Sequence, residues 1–133
     1  MHKVKIGLVG SGFAASLHME AYKMVYGVEP VICALASTSE KAKDFADKYG
    51  IQTVYASLDE MLQKEKLDVV DICTPPSAHA AQIEKVMMRG CHVICEKPLT
   101  GWFGSHDEPN MLEYVEKQLE ELERVIRASG KKF

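Results

Sequence analysis

Two short stretches hold residues whose types and order could do chemistry: Gly10-Ser11-Gly12-Phe13-Ala14-Ala15, and Glu96-Lys97-Pro98 much further along. The first is a GxGxxA turn. Gly10 would allow a tight turn, Gly12 would let backbone N–H groups approach a phosphate, and Ala15 would keep a following helix close to its strand. With the positive end of that helix behind it, the chemistry is pyrophosphate binding, with Gly10, Ser11, Gly12, Phe13 and Ala14 as the cradle. The alternative is a glycine turn used only for packing. In the second stretch, a lysine can donate to an alcohol or carbonyl oxygen. With its pKa lowered by desolvation and nearby positive charge, it can also move a proton. The alternative for Lys97 is a solvated surface charge.

Between them lie residues with supporting roles. A dinucleotide fold specific for NAD places Asp or Glu at the end of its second strand, to accept from the ribose 2′-hydroxyl. Ala36-Ser37-Thr38-Ser39 stands there instead. Small hydroxyls at Ser37 and Thr38, followed by Lys41 and Lys43, suit a 2′-phosphate, so the expectation is NADP, or use of both cofactors. Lys41 and Lys43 are otherwise solvated helix charges. Thr74-Pro75-Pro76-Ser77 precedes His79, which either lines the pocket or caps and packs a helix start. His18, one turn into the first helix, reads as a packing residue, and Met19, Met24, Met87 and Met88 read as core. Cys33, Cys73, Cys91 and Cys95 form no CxxC pair and have no His at ligand spacing. They read as buried thiols of a reducing cytoplasm with no metal site, the alternatives being a disulfide or a zinc site.

The elements that must position these residues alternate by period. Val4 to Val9 is a strand run, Phe13 to Tyr26 a helix pattern, and Pro30 to Ala36 a second strand. A helix from an N-cap at Ser39 to a stop at Gly50 leads to a short strand, Gln52 to Tyr55. Ser57 and Glu60 then form a capping box. Asp68 to Cys73 is a strand ended by Pro75-Pro76, Ala78 to Arg89 a helix, and Cys91 to Cys95 a fifth strand. Leu99 to Pro109 reads as an extended loop whose Trp102-Phe103 forms a lid or interdomain contact, or is simply exposed. The last helix opens with a capping-box-like Asn110 and Glu113 and stops at Gly130. Its stripe Leu112, Val115, Leu119, Leu122 and Ile126 packs on the sheet or, less economically, forms a coiled coil. Lys131-Lys132-Phe133 looks like the opening of a sixth strand. The fold class is therefore α/β: a Rossmann-like doubly wound parallel sheet with five complete strands plus the start of a sixth.

Composition narrows the function. The 133 residues carry 16 basic and 19 acidic groups, a net charge of −3, and 47% are hydrophobic. There is no basic footprint for nucleic acid and no apolar run long enough to span a membrane. The apolar N-terminal stretch superficially resembles a signal peptide, but Gly7, Gly10 and Gly12 punctuate it and a helix pattern follows.

Three blocks together resemble the N-terminal domain of the Gfo/Idh/MocA oxidoreductases: Gly7-Leu8-Val9-Gly10-Ser11-Gly12 with His18, Val70-Asp71-Ile72-Cys73-Thr74-Pro75-Pro76 with His79, and Gly90 through Pro98. The resemblance implies hydride transfer between NAD or NADP and a secondary alcohol or ketone of a sugar, cyclitol or similar polyol. It implies Lys97 as catalytic residue near the nicotinamide, Glu96 on the nicotinamide ribose, and Thr74, Pro75 and His79 beside the cofactor. The sequence departs from the family pattern in the loop inserted at about 99–109 and in lacking a C-terminal substrate and oligomerisation domain. The expectation is that residues 1–133 are a dinucleotide-binding domain that binds cofactor without turnover, and that a full-length parent is a homo-oligomeric enzyme. A non-catalytic nucleotide-binding sensor of the same fold is the alternative, and a standalone interaction domain using the Trp102-Phe103 loop is a third reading.

Overall fold

The computed structural model describes residues 1–133. Its elements are β1 (His2–Val9), α1 (Phe13–Tyr22), β2 (Val28–Ala36), α2 (Ala42–Tyr49), β3 (Thr53–Tyr55), α3 (Leu58–Lys64), β4 (Val69–Ile72), α4 (Pro76–Met88), β5 (His92–Cys95) and α5 (Met111–Ser129). All strand pairings are parallel and the order across the sheet is β3-β2-β1-β4-β5. The α/β doubly wound class is as the alternating periods foretold. The chain walks outward from β1 to β3, then returns to β4 and β5, so its direction reverses between β1 and β4. In an open parallel sheet, ligands bind at the carboxyl ends of the strands at such a reversal.

Each sheet face has its own core, because successive strand side chains point to opposite sides. Leu8 and Leu35 pack with Ala15, Met19 and Phe45 of α1 and α2 on one face. Val9, Ala34, Ala36, Val70, Ile72 and Val93 pack with Met61, Ile83 and Met87 of α3 and α4 on the other. The long helix α5 joins this second core through Leu122, which is 4% exposed, with Val125 and Ile126 partly buried beside it. It lies against α4. Leu112 and Leu119, counted on its apolar stripe, are exposed, since α5 has 19 residues against 13 in α4 and its first half overhangs its neighbour.

Several boundaries differ from the sequence expectation. Helix α1 stops at Tyr22, not Tyr26, because the N–H groups of Lys23 and Met24 donate to Glu20 and Ala21, the tighter i to i−3 pattern of a last turn. The first helical residue of α2 is Ala42; Ser39 accepts from the Lys41 N–H at 3.2 Å in the turn before it, rather than capping the helix. Asn110 makes no side-chain cap to α5. The Ser57 cap is present, its hydroxyl accepting from the Glu60 N–H at 3.2 Å. Lys131–Phe133 forms no assigned strand, yet the Val93 N–H donates to the Lys132 carbonyl at 3.0 Å, which sets this segment beside β5. Trp102 packs edge-on against Tyr114 at 5.2 Å and donates its Nε1–H to the Ser105 carbonyl, so the loop is tied to α5 through Trp102 while Phe103 to Pro109 are exposed. The four thiols are free; Cys73 and Cys91 are buried, whereas Cys33 and Cys95 are only half-buried.

Candidate functional site

Backbone bonds continue past the strand ends and draw four loops into one line. The Gly10 N–H donates to the Ala36 carbonyl, Cys73 to Val9 and Glu96 to Ile72, at 2.8–2.9 Å. The loops after β1, β2, β4 and β5 therefore start level with one another, at the edge where the sheet reverses.

The glycine turn is shaped by two different constraints. Gly10 has φ of +95°, and a Cβ there would stand 2.9 Å from the Cys73 carbonyl oxygen, so only glycine fits. Gly12 has an ordinary extended backbone, and a Cβ there would meet nothing within 4 Å. No neighbour within the protein demands a glycine at position 12. What it provides is open approach to the N-terminus of α1, whose first N–H groups have no side-chain cap. A phosphate fits that requirement.

A groove of about 500 Å³ runs from this turn along the strand ends and is lined by Gly10, Ser11, Gly12, Ser37, Thr38, Thr74 and Pro75 among the expected residues. The hydroxyls of Ser11 and Ser37 lie 2.8 Å apart and bridge the β1 and β2 loops, and Ser37 also accepts from the Ser39 N–H at 3.2 Å. Ser39, Ala56, Ser57, Leu58 and Gln82 line the groove too, unforeseen as site residues. Ser57 carried a helix-cap signal that masked a second role. Gln82 carried none; it is brought in by accepting from the Thr74 hydroxyl across a turn of α4.

Seven expected residues lie off this groove. Phe13 is exposed, and Ala14 packs on the α1 core instead of facing a ligand. Lys41 is exposed before α2, while Lys43 pairs with Asp47 one turn on and is a solvated helix charge. His79 is fully buried: its ring nitrogens lie 2.8 Å from the Thr74 carbonyl and 2.9 Å from the Pro98 carbonyl. It is not among the residues lining this groove; it ties the loop after β4 to the loop after β5. Lys97 is exposed and Glu96 half-buried, and the Lys97–Pro98 peptide is cis.

The largest departure is His18. Expected to pack, it is instead a hydrogen-bonded bridge, Nδ1 lying 2.8 and 3.0 Å from the two Asp71 carboxylate oxygens and Nε2 3.1 Å from Glu96 Oε1. Burial alone would lower the His18 pKa, but the hydrogen bond and charge of Asp71, then those of Glu96, outweigh it and hold the ring above 6.5. Burial and the Asp71 charge push the neighbouring Cys73 thiol well up, so it stays protonated. His18, Asp71 and Cys73 bring three potential metal donors within 4.8 Å of one another, a grouping invisible to sequence spacing. In this structure those donors are hydrogen-bonded to each other.

Known proteins resemble this chain in sequence and in fold. A relative from Sphingobium sp., 4-carboxy-2-hydroxymuconate-6-semialdehyde dehydrogenase, is 34% identical over 96 residues, which are 72% of this chain and 30% of that protein. D-xylose 1-dehydrogenase (NADP(+)) 2 from Haloferax volcanii is 42% identical over 57% of this chain and 24% of its own length. The crystal structure of apo scyllo-inositol dehydrogenase from Lactobacillus casei superposes with a TM-score of 0.80 at 25% identity, over 98% of this chain and 35% of that one. The chain thus spans about a quarter to just over a third of the length of such relatives. The family model described as "Oxidoreductase family, NAD-binding Rossmann fold" matches residues 4–126, from β1 into α5, and the chain accordingly belongs to the Gfo/Idh/MocA oxidoreductases as their NAD-binding Rossmann domain.

Proposed function

We propose that this chain binds NADP, with NAD as a second cofactor, and forms the cofactor half of an oxidoreductase acting on a secondary alcohol or ketone of a sugar, cyclitol or similar polyol. The observation that carries the reading is Gly12. It is a glycine the fold does not require, set at the N-terminus of α1 and at the point where the sheet reverses. The paired hydroxyls of Ser11 and Ser37, in place of a carboxylate, support NADP, because a carboxylate there would repel a 2′-phosphate. The Haloferax relative carries NADP(+) and D-xylose in its name.

In this reading the bound nicotinamide supplies or accepts the hydride. The chain's residues do the rest. N–H groups of the glycine turn hold the pyrophosphate, Ser11, Ser37 and Thr38 bond the ribose end, and Lys41 contributes charge. The Glu96 carboxylate accepts from a hydroxyl of the nicotinamide ribose. Lys97, exposed one residue beyond it, donates to the substrate oxygen and moves the proton that accompanies the hydride. His79 keeps the Thr74 and Pro98 loops at fixed separation. Residues 1–133 bind cofactor without turnover, the substrate site and the homo-oligomer contacts being supplied by a longer protein. The free thiols support a reducing cytoplasm as its compartment, and no helix is long and apolar enough to cross a membrane.

Fluorescence titration of the chain with NADPH and NADH tests this. Both bind, NADPH more tightly, and Lys97→Ala leaves both affinities unchanged. In a longer protein the same substitution lowers kcat by roughly 10²–10⁴-fold with cofactor affinity retained. A chain that binds neither dinucleotide overturns the reading, and unchanged function in the longer Lys97→Ala protein points to a sensor.

A further inference from the structure

Asp71 sits near the carboxyl end of β4 with no exposed surface, and a carboxylate there must be satisfied by donors. The hydroxyl of Tyr22 on α1 donates to it at 2.7 Å, the Cys73 thiol donates at 3.5 Å, and the His18 Nδ1–H lies at 2.8 Å. Of the three, only His18 can bring a positive charge. On the opposite edge of the same ring, Nε2 faces Glu96 Oε1 at 3.1 Å. Ionised carboxylates accept hydrogen bonds and cannot donate them, so the ring satisfies both neighbours only with a proton on each nitrogen. The titratable groups facing His18 are thus Asp71 and Cys73 at the end of β4, and Glu96 after β5. Tyr22 on its own helix reaches it through Asp71, and Cys95 flanks Cys73.

The bridge leaves the two carboxylates in unequal positions. Asp71 is enclosed and holds both oxygens within 3.0 Å of Nδ1. Glu96 is half-buried, on a flexible stem, with Oε1 committed to His18 and Oε2 outside any hydrogen bond to it. When the ring loses a proton, the remaining N–H stays on the buried side, facing Asp71, and a lone pair turns toward Glu96 Oε1. Attraction becomes repulsion, and Glu96 is released.

We propose that His18, doubly protonated and anchored by Asp71, is the positioning residue for Glu96, fixing Oε1 so that Oε2 is presented to the nicotinamide-side ribose of a bound dinucleotide. The proposal rests on the dinucleotide reading above and adds a prediction that reading does not make. Affinity for the nicotinamide half depends on the His18 proton, and affinity for the adenosine half does not.

The test uses the 133-residue chain. Nitrogen-resolved NMR of His18 in the wild-type protein shows both ring nitrogens protonated at pH 6.5 and a titration above 6.5. NADH affinity, followed by fluorescence, weakens about fivefold as pH rises through that titration. In His18→Gln the profile is flat and NADH binds at the weakened level throughout, while ADP, which lacks the nicotinamide ribose, binds wild type and variant equally at pH 6.5, where NADH affinities differ. A His18 ring that titrates at or below 6.5, an NADH profile in His18→Gln that follows wild type, or an ADP affinity that falls as far as that for NADH overturns the proposal. Should the variant fail to fold, the wild-type NMR titration and NADH profile decide: a flat profile across the titration overturns it. Wild type that binds neither NADH, NADPH nor ADP overturns the dinucleotide reading itself, whereas NADH binding with a flat profile overturns the His18 role alone.

Discussion

Gly10 and Cys73 approach so closely that a Cβ on the glycine would lie 2.9 Å from the cysteine's carbonyl oxygen, while the same addition two residues on, at Gly12, would touch nothing. The two glycines of one motif therefore differ: the fold demands the first, nothing within the protein demands the second, and in the proposed reading the second serves a ligand. Gly10→Ala combines a positive φ with a backbone clash and costs roughly 1–3 kcal/mol of stability, seen as a lowered denaturation midpoint. Gly12→Ala leaves the midpoint nearly unchanged yet weakens dinucleotide binding roughly tenfold or more, the equivalent of one charge-assisted hydrogen bond. Equal stability losses in both would remove the distinction.

In the proposed reading Ser37, in contact with the Ser11 hydroxyl, chooses between cofactors. In Ser37→Asp a carboxylate accepts from a ribose 2′-hydroxyl but faces a 2′-phosphate with like charge. The expected outcome of parallel titrations is NADPH weakened by roughly tenfold or more and NADH held or improved. A variant whose preference stays with NADPH would move the ribose site elsewhere in the groove.

His79 offers a test that concerns architecture. With its ring between the Thr74 and Pro98 carbonyls and no exposed surface, His79→Ala opens a cavity and strips a buried donor from those oxygens. The cost is about 2–5 kcal/mol, measured by urea unfolding. A surface role for His79 would leave the unfolding curve in place.

The raised pKa of His18 has a consequence for stability whose sign is fixed. The folded protein holds the His18 proton more tightly than the unfolded chain does, so the contribution is fully present below 6.5 and is lost as pH rises through the folded value. The stability difference between wild type and His18→Gln is therefore larger at pH 6 than at pH 9. A difference that grows toward alkaline pH would reverse the assignment.

Much of the molecule was legible in one dimension because its causes are local. The strand and helix periods, the Ser57 cap, the helix stops at Gly50 and Gly130 and the glycine turn each depend on residues within a few positions of one another, and apart from the end of α1 each lies within a residue or two of its expected place. Local signals also overreached. The apolar residues Met24, Val25 and Tyr26 extend the α1 pattern in sequence, but they are exposed beyond its last turn. Asn110 had the chemistry of a cap without the geometry of one.

What the sequence alone determined is the order of elements, hence the doubly wound α/β class, and the residue types that meet at the carboxyl ends of the strands. Only the tertiary structure decided which of them touch. His18 and Asp71 are 53 positions apart and His18 and Glu96 are 78 apart, so no spacing rule joins them; the β1-β4-β5 arrangement does, by stacking three strand ends beside the first helix. It also decided that His79 is enclosed and that Trp102 closes on Tyr114. The physical reason is the same in each case. A side chain's chemistry is a property of the residue, but its partner and its exposure are set by which distant segments the sheet brings alongside.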